Sequence, residues 1–248
     1  MIKYIRNTIL VCLFVLFGLG ALYIRYCILP FKKSKLEQYE TLQKSWQFFI
    51  RLMQKTKLIK LDINDLEKIK NIKNSIILST HPSFIDIVIL MSIIPHSTCF
   101  VAAKLARNPF FRGMVELLFI LDVHDIDVWL DNACEKLNNG LNVIIFPMGS
   151  RHRRNETPKI RRGAALIAEK SQKDIVLLDI QTSFDFLQGG QAFYDAGKET
   201  VLYTIDHLGD ISTKEYLEKY DDTVSFKTQI SKKIGQILYQ YENLSFML

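Results

Sequence analysis

Apolar positions change period three times along the chain. Over residues 8–24 they are almost continuous, 17 residues without a charge, with Lys3 and Arg6 before them and Arg25, Lys32, Lys33 and Lys35 after. That length is at the lower limit for a membrane-spanning helix. It fits a spanning anchor or a helix lying in one leaflet better than a cleaved signal, because no small-x-small site follows and the next residues, RYCILPFKK, are bulky and basic. Over residues 36–61, Leu42, Trp46, Phe49, Ile50, Leu52 and Met53 are interleaved with Lys44, Arg51, Lys55, Lys57 and Lys60. This is the pattern of an amphipathic helix at an anionic lipid surface, or of a solvated helix packed on the body. After Asn74, short β-branched runs alternate with helical stretches. The pattern predicts strands over 75–80, 98–102, 118–123, 142–146, 175–180 and 200–205, and helices over 84–93, 109–117, 126–139, 162–170 and 223–242. The reading is an α/β fold in two parts. Residues 1–62 are a membrane anchor with an amphipathic interfacial helix, and residues 63–248 are one α/β domain with a mixed sheet flanked by helices.

Composition adds a charge asymmetry. The 248 residues are 48% hydrophobic and 23% charged, which excludes a disordered or fibrous chain and suffices for a sizeable core. The net charge of +6 divides into +9 over residues 1–60 and −3 over residues 61–248. A nucleic-acid-binding domain carries its positive charge on the body, so no nucleic-acid partner is expected. The basic excess after the apolar run slightly exceeds that before it, which puts the body on the cytoplasmic side of an inner membrane. Cys12, Cys27, Cys99 and Cys134 form no C-x-x-C pair, which fits a reduced compartment with neither a disulfide framework nor a zinc site.

Two loops carry candidate chemistry, each just after a predicted strand, where open α/β sheets bind ligands. In Thr80-His81-Pro82-Ser83-Phe84-Ile85-Asp86 the strand delivers His81, and Asp86 stands one turn into the next helix. Its carboxylate can reach the imidazole, fix the tautomer and stabilise an imidazolium, the arrangement of a general base acting on a hydroxyl. The plain alternative is a core histidine beside a capping aspartate. The second loop, Phe146-Pro147-Met148-Gly149-Ser150-Arg151, leads into six Lys/Arg within residues 151–162, opposed by Glu156 alone. Gly149 and Arg151 can offer backbone N–H groups and a guanidinium fork to phosphate oxygens. Its plain alternative is a basic surface loop touching anionic lipid.

On these residues the sequence resembles the 1-acylglycerol-3-phosphate acyltransferase family of the glycerophospholipid acyltransferase superfamily, over roughly residues 75–185. THPSFID matches the family's H-x4-D block. The segment from Lys104 through Arg107, Pro109, Phe110 and Phe111 to Gly113 is similar to its second block, with one extra residue before the glycine. FPMGSR resembles F-P-E-G-[TS]-R, and IVLLDIQ stands where the family has a strand lining the acyl site, usually with Val-Pro. The resemblance implies acyl transfer from acyl-CoA or acyl carrier protein to a hydroxyl of a lysophosphatidate-like lipid, in phospholipid biosynthesis at a membrane. It implies His81 as base and Asp86 as its orienting partner. Lys104, Arg107, Gly149, Ser150 and Arg151 would hold the acceptor, with no metal and no resident cofactor. Met148 departs from the family's glutamate, and a thioether is only a weak acceptor. That leaves three outcomes: a different lipid acceptor, weakened transfer, or a lipid-binding homologue without turnover. A hydrolase is disfavoured because no G-x-S-x-G occurs.

Overall fold

A computed structural model describes residues 1–17, 34–81, 83–147, 162–188, 190–192, 194–218 and 225–245. Among these, seven strands form one sheet: β1 (Ile59–Ile63), β2 (Ile76–Ser79), β3 (Ser97–Ala102), β4 (Ile120–Asp122), β5 (Asn142–Ile145), β6 (Ile175–Thr182) and β7 (Val201–Ile211). Their order is β1-β7-β6-β2-β5-β3-β4. The five strands from β6 to β4 run parallel, β7 is antiparallel to β6, and β1 is parallel to β7, so the sheet is mixed. The helices are α1 (Ile2–Phe14), α2 (Lys35–Lys55), α3 (Leu66–Lys70), α4 (Asp86–Ile93), α5 (Pro109–Leu118), α6 (Ile126–Asn138), α7 (Gly163–Ser171), α8 (Thr213–Glu218) and α9 (Phe226–Ser245).

The central strands read as unbroken apolar runs because helices cover both faces of the sheet. Ile77, Ile144, Val176 and Leu178 pack toward α1, α2, α4 and α5. Ile76, Leu78, Val143, Ile175 and Leu177 pack toward α6, α7 and α9. The alternation follows from the two-residue period of a strand. Local sequence sets several helix starts. Ser34 and Glu37 form a capping box at α2, and the Asp125 carboxylate accepts from the amides of Asp127 and Val128 at α6.

For the N-terminal helices the structure shows the packed alternative at α2. The apolar face of α2, with Leu42, Trp46, Phe49, Ile50 and Met53, is buried in the protein core and not offered to lipid. Gln43 and Gln47 also donate to carbonyls of Ser92 and Ile93 at the end of α4. The helix stops at Lys55, and Ile59–Ile63 become a strand that pairs with β7. Leu10 and Phe17 likewise belong to the core. Residues 18–24 of the proposed anchor lie outside the described residues; among the described residues no helix is long and apolar enough to cross a membrane.

Buried Asn142 ties together the α3–β2 and α4–β3 connections at the start of β5. Its Oδ1 accepts from the Ser75 amide at 3.0 Å, and its Nδ2 donates to the carbonyls of Ile72 at 3.1 Å and Pro95 at 2.8 Å. Truncation leaves those buried groups without partners. Asn142→Ala is therefore expected to destabilise the fold by about 2–4 kcal/mol, read from the denaturant midpoint at unchanged m-value.

Candidate active site

Parallel strands deliver side chains at their carboxyl ends, and β2 and β5 are neighbours in the sheet. Thr80 and His81 follow β2. The Thr80 hydroxyl donates to Asp179 Oδ1 at 2.8 Å and accepts from the Ile180 amide at 2.7 Å, so the residue before His81 is tied to β6. His81 Nδ1 lies 3.0 Å from Asp86 Oδ2, and the same oxygen accepts from the Ser83 amide at 2.7 Å. An ionised carboxylate only accepts, so Nδ1 carries the proton and Nε2 keeps its lone pair. Asp86 is fully buried, while the His81 side chain is 16% exposed. Helix α4 begins at Asp86, two residues later than the pattern implied, so the carboxylate stands in the first turn at the positive helix end and not one turn further in. Pro82 lies outside the described residues.

The ring of Phe146, just after β5, stacks on His81 at 3.9 Å between centroids and 13° between planes. Carboxylate and ring together leave the imidazole one orientation. Below them the buried phenol of Tyr203, on β7, is pushed well above its usual pKa by desolvation, with the Asp86 charge adding to the shift and the Ser83 hydroxyl opposing it. Lys104 and Arg107 are exposed on a short 3-10 turn after β3 (Ala103–Arg107). Met148, Gly149, Ser150 and Arg151 lie outside the described residues.

An apolar cavity of about 670 Å³ lies over this face of the sheet. Phe84, three residues past His81, and Leu105, between Lys104 and Arg107, both line it, and α1, α2, α4, β3 and α5 supply most of the rest, with Leu187 and Gln191 coming from the β6–β7 connection. Burial pushes the Cys99 thiol in its wall up to about 12, so at neutral pH it is a thiol and behaves as a small apolar group. Ile175–Gln181, the segment similar to the family's fourth block, form most of β6 and are not among the described residues that line this cavity. A central strand covered by helices on both faces has no free face to give a cavity.

A protein-family model described as Acyltransferase matches residues 60–180, from β1 to near the end of β6. A 1-acyl-sn-glycerol-3-phosphate acyltransferase of Helicobacter pylori strain J99 is 34% identical, with 64% of this chain and 76% of the relative covered. The chain belongs to the 1-acylglycerol-3-phosphate acyltransferase family. The human 1-acyl-sn-glycerol-3-phosphate acyltransferase beta, a longer protein, is 24% identical over 62% of this chain, which spans 58% of that relative's length. The crystal structure of the 1-acyl-sn-glycerophosphate acyltransferase PlsC from Thermotoga maritima superposes with a TM-score of 0.71, covering 98% of this chain and 97% of that one at 16% identity. This family member therefore shares its fold from α1 to α9 with that structure.

Sequence reasoning missed Phe146 as a ring partner, Tyr203 beneath the dyad and Asp179 behind it. The only sequence signal for Asp179 was a carboxylate inside an otherwise apolar strand. Desolvation raises the Asp179 pKa, the facing Asp206 adds to this, and bonds from Thr80, Gln181 and the Ile180 amide oppose it. A raised folded-state value means that folding favours the protonated form. Its contribution is complete below the usual carboxylate range and is lost as pH rises through the raised value. Asp179→Asn keeps an acceptor for Thr80 and removes the ionised carboxylate. The variant is expected to gain stability relative to the parent as pH rises above the usual carboxylate range, measured as the difference in melting temperature at each pH. A difference that does not change with pH contradicts this.

Proposed function

We propose that this chain is a membrane-associated O-acyltransferase that moves an acyl group from a thioester of coenzyme A or acyl carrier protein to a hydroxyl of a lysophosphatidate-like lipid. The observation that carries the reading is the imidazole held between Asp86 and Phe146, on a loop whose Phe84, three residues past His81, lines an apolar cavity. His81 Nε2 takes the proton of the acceptor hydroxyl as that oxygen attacks the thioester carbonyl, and Asp86 stabilises the imidazolium. Collapse of the tetrahedral intermediate breaks the carbon–sulfur bond. The departing thiolate takes the proton back from His81, leaving an ester and a free thiol. The cavity receives the acyl chain, and its apolar wall excludes water that would otherwise hydrolyse the thioester.

The acceptor phosphate is assigned to Lys104 and Arg107, on the turn after β3, and to Gly149, Ser150 and Arg151 of the FPMGSR segment. A headgroup held away from the reacting carbon orients its hydroxyl. Exposed Phe84 and Leu105 at the cavity, with Ile2, Tyr4, Ile5 and Leu16 on the α1 segment and Phe48 on α2, provide apolar groups for a lipid surface. The body is assigned to the cytoplasmic face. A second reading rests on Met148: the fold persists as a lipid-binding homologue with weak or no turnover.

In a radiolabelled transfer assay with lysophosphatidate and both thioester donors, His81→Ala is expected to lower kcat by about 100- to 10,000-fold. Unchanged far-ultraviolet circular dichroism would show that the fold is intact, and full activity removes His81 as base. Met148→Glu is expected to raise kcat/KM for lysophosphatidate if the methionine only weakens the site. A fall with that acceptor, in a parent active on another lysolipid, points to a different native acceptor.

A further inference from the structure

Lys3 and Arg6, read in the sequence as flanking charges of an apolar run, are both turned toward the body. Lys3, Arg6, Asn7, Leu10 and Phe14 of α1, with Phe17 just beyond it, meet the body at a three-four spacing, and Ile9 and Leu13 flank that face. This face is polar at its start and apolar at its end. The two halves engage different parts of the molecule.

The polar half is a clamp. Arg6 Nη1 donates to the Lys57 carbonyl at 2.8 Å, and Nη2 donates to the carbonyls of Leu58 at 3.5 Å, Ala196 at 3.3 Å and Glu199 at 2.5 Å. One guanidinium thus ties together the end of α2 and the described part of the β6–β7 connection. Asn7 Oδ1 accepts from the Ala196 amide at 2.9 Å, and Lys3 pairs with Asp195 at 3.1 Å. The lysine pair is solvent-exposed and contributes little, whereas the planar fork of Arg6 makes charge-assisted bonds in several directions.

The apolar half is a wall. Phe14 and Phe17 line the cavity, with Phe14 at 5.5 Å and Phe17 at 4.7 Å from the ring of Phe49, and Phe14 at 6.2 Å from that of Phe84. The clamped connection reaches the same cavity from the other side. Leu187 lines it, and the Leu187 carbonyl accepts from the Phe84 amide at 3.0 Å, three residues from His81.

We infer that Arg6 is a specificity-determining positioning residue: by clamping α1 to residues 57–58 and 196–199 it holds Phe14 and Phe17 as a wall of the cavity, and so sets the length of acyl chain the site accepts. This rests on reading the cavity as the acyl chamber. Each methylene buried against such a wall changes binding by roughly fourfold, so loosening the wall alters the ranking of chains more than the rate for any one of them. A lysine at position 6 supplies one ammonium in place of the fork and does not rebuild the clamp.

The test compares the purified full chain with Arg6→Ala and Arg6→Lys in two measurements. The first is kcat/KM for octanoyl, lauroyl, palmitoyl and stearoyl thioesters of coenzyme A and of acyl carrier protein. The second is displacement of a fluorescent fatty acid by saturated fatty acids of the same lengths, which needs no turnover. The expected result is a change of about tenfold in the palmitoyl-to-lauroyl ratio in both variants, with matching displacement profiles and an unchanged KM for lysophosphatidate. An equal loss for every chain, or restoration of the parent profile by Arg6→Lys, overturns the inference. Length-dependent displacement that shifts in the variants without turnover in the parent sustains it and overturns the acyltransferase reading. Turnover with no length preference in the parent overturns the inference alone.

Discussion

A carboxylate with no exposed surface is tolerated only where donors replace its water, and Asp86 meets that condition through the Ser83 amide and His81 Nδ1 on one oxygen. Much of the candidate site is arranged around that constraint. Helix α4 has to start at Asp86 for the Ser83 amide to point at the carboxylate. Strand β2 has to end so that the imidazole arrives within hydrogen-bond distance, and the Thr80 bonds to β6 hold that end in place. Phe146 then fixes the ring plane from the neighbouring strand. The imidazole is thus held in place by its own surroundings.

The second organising feature is the double use of the N-terminal apolar residues. A segment rich in Leu and Phe beside basic residues suits lipid, yet in this fold Leu10, Phe14 and Phe17 meet α2 and the cavity, while Arg6 bonds backbone carbonyls. The same chemistry serves both purposes because lipid tails and a protein core are alike as apolar surroundings. What separates them is the partner, and the partner comes from residues 46–49, 84 and 187–199. A cavity bounded partly by the N-terminal helix also explains how a chain of this size encloses about 670 Å³ next to its sheet.

The strand runs after Asn74 were legible because β-branched side chains buried on both faces leave no polar alternation to misread, and each predicted run coincides with an observed strand to within a few residues. Strand β1 was not legible. IKLDI alternates, but it continues the apolar spacing of the helix before it, and its pairing with Val201–Ile205 comes from about 140 residues further on, beyond the reach of local periodicity. The dyad was legible as a motif because both residues belong to one loop. Asp179 was not, since a carboxylate in a strand reads as a solvated edge until the tertiary structure sets it beside Thr80, 99 residues away. The α2 face shows the limit from the other side: its amphipathic pattern correctly implied an apolar partner, with nothing local to say whether that partner was lipid or protein.

By itself, then, the sequence determined the α/β class, the loops that carry His81 and Asp86, the concentration of cations within residues 151–162 and the family resemblance. These are properties of neighbouring residues and of their period. Only the tertiary structure decided that Phe146 stacks on the imidazole, that Thr80 is tied to Asp179, that α1, α2, α4, β3 and α5 share one cavity, and that Arg6 faces backbone carbonyls. Each depends on which surfaces meet when the helices close over the sheet. Burial is non-directional, so an apolar pattern says that a residue seeks cover without saying from what.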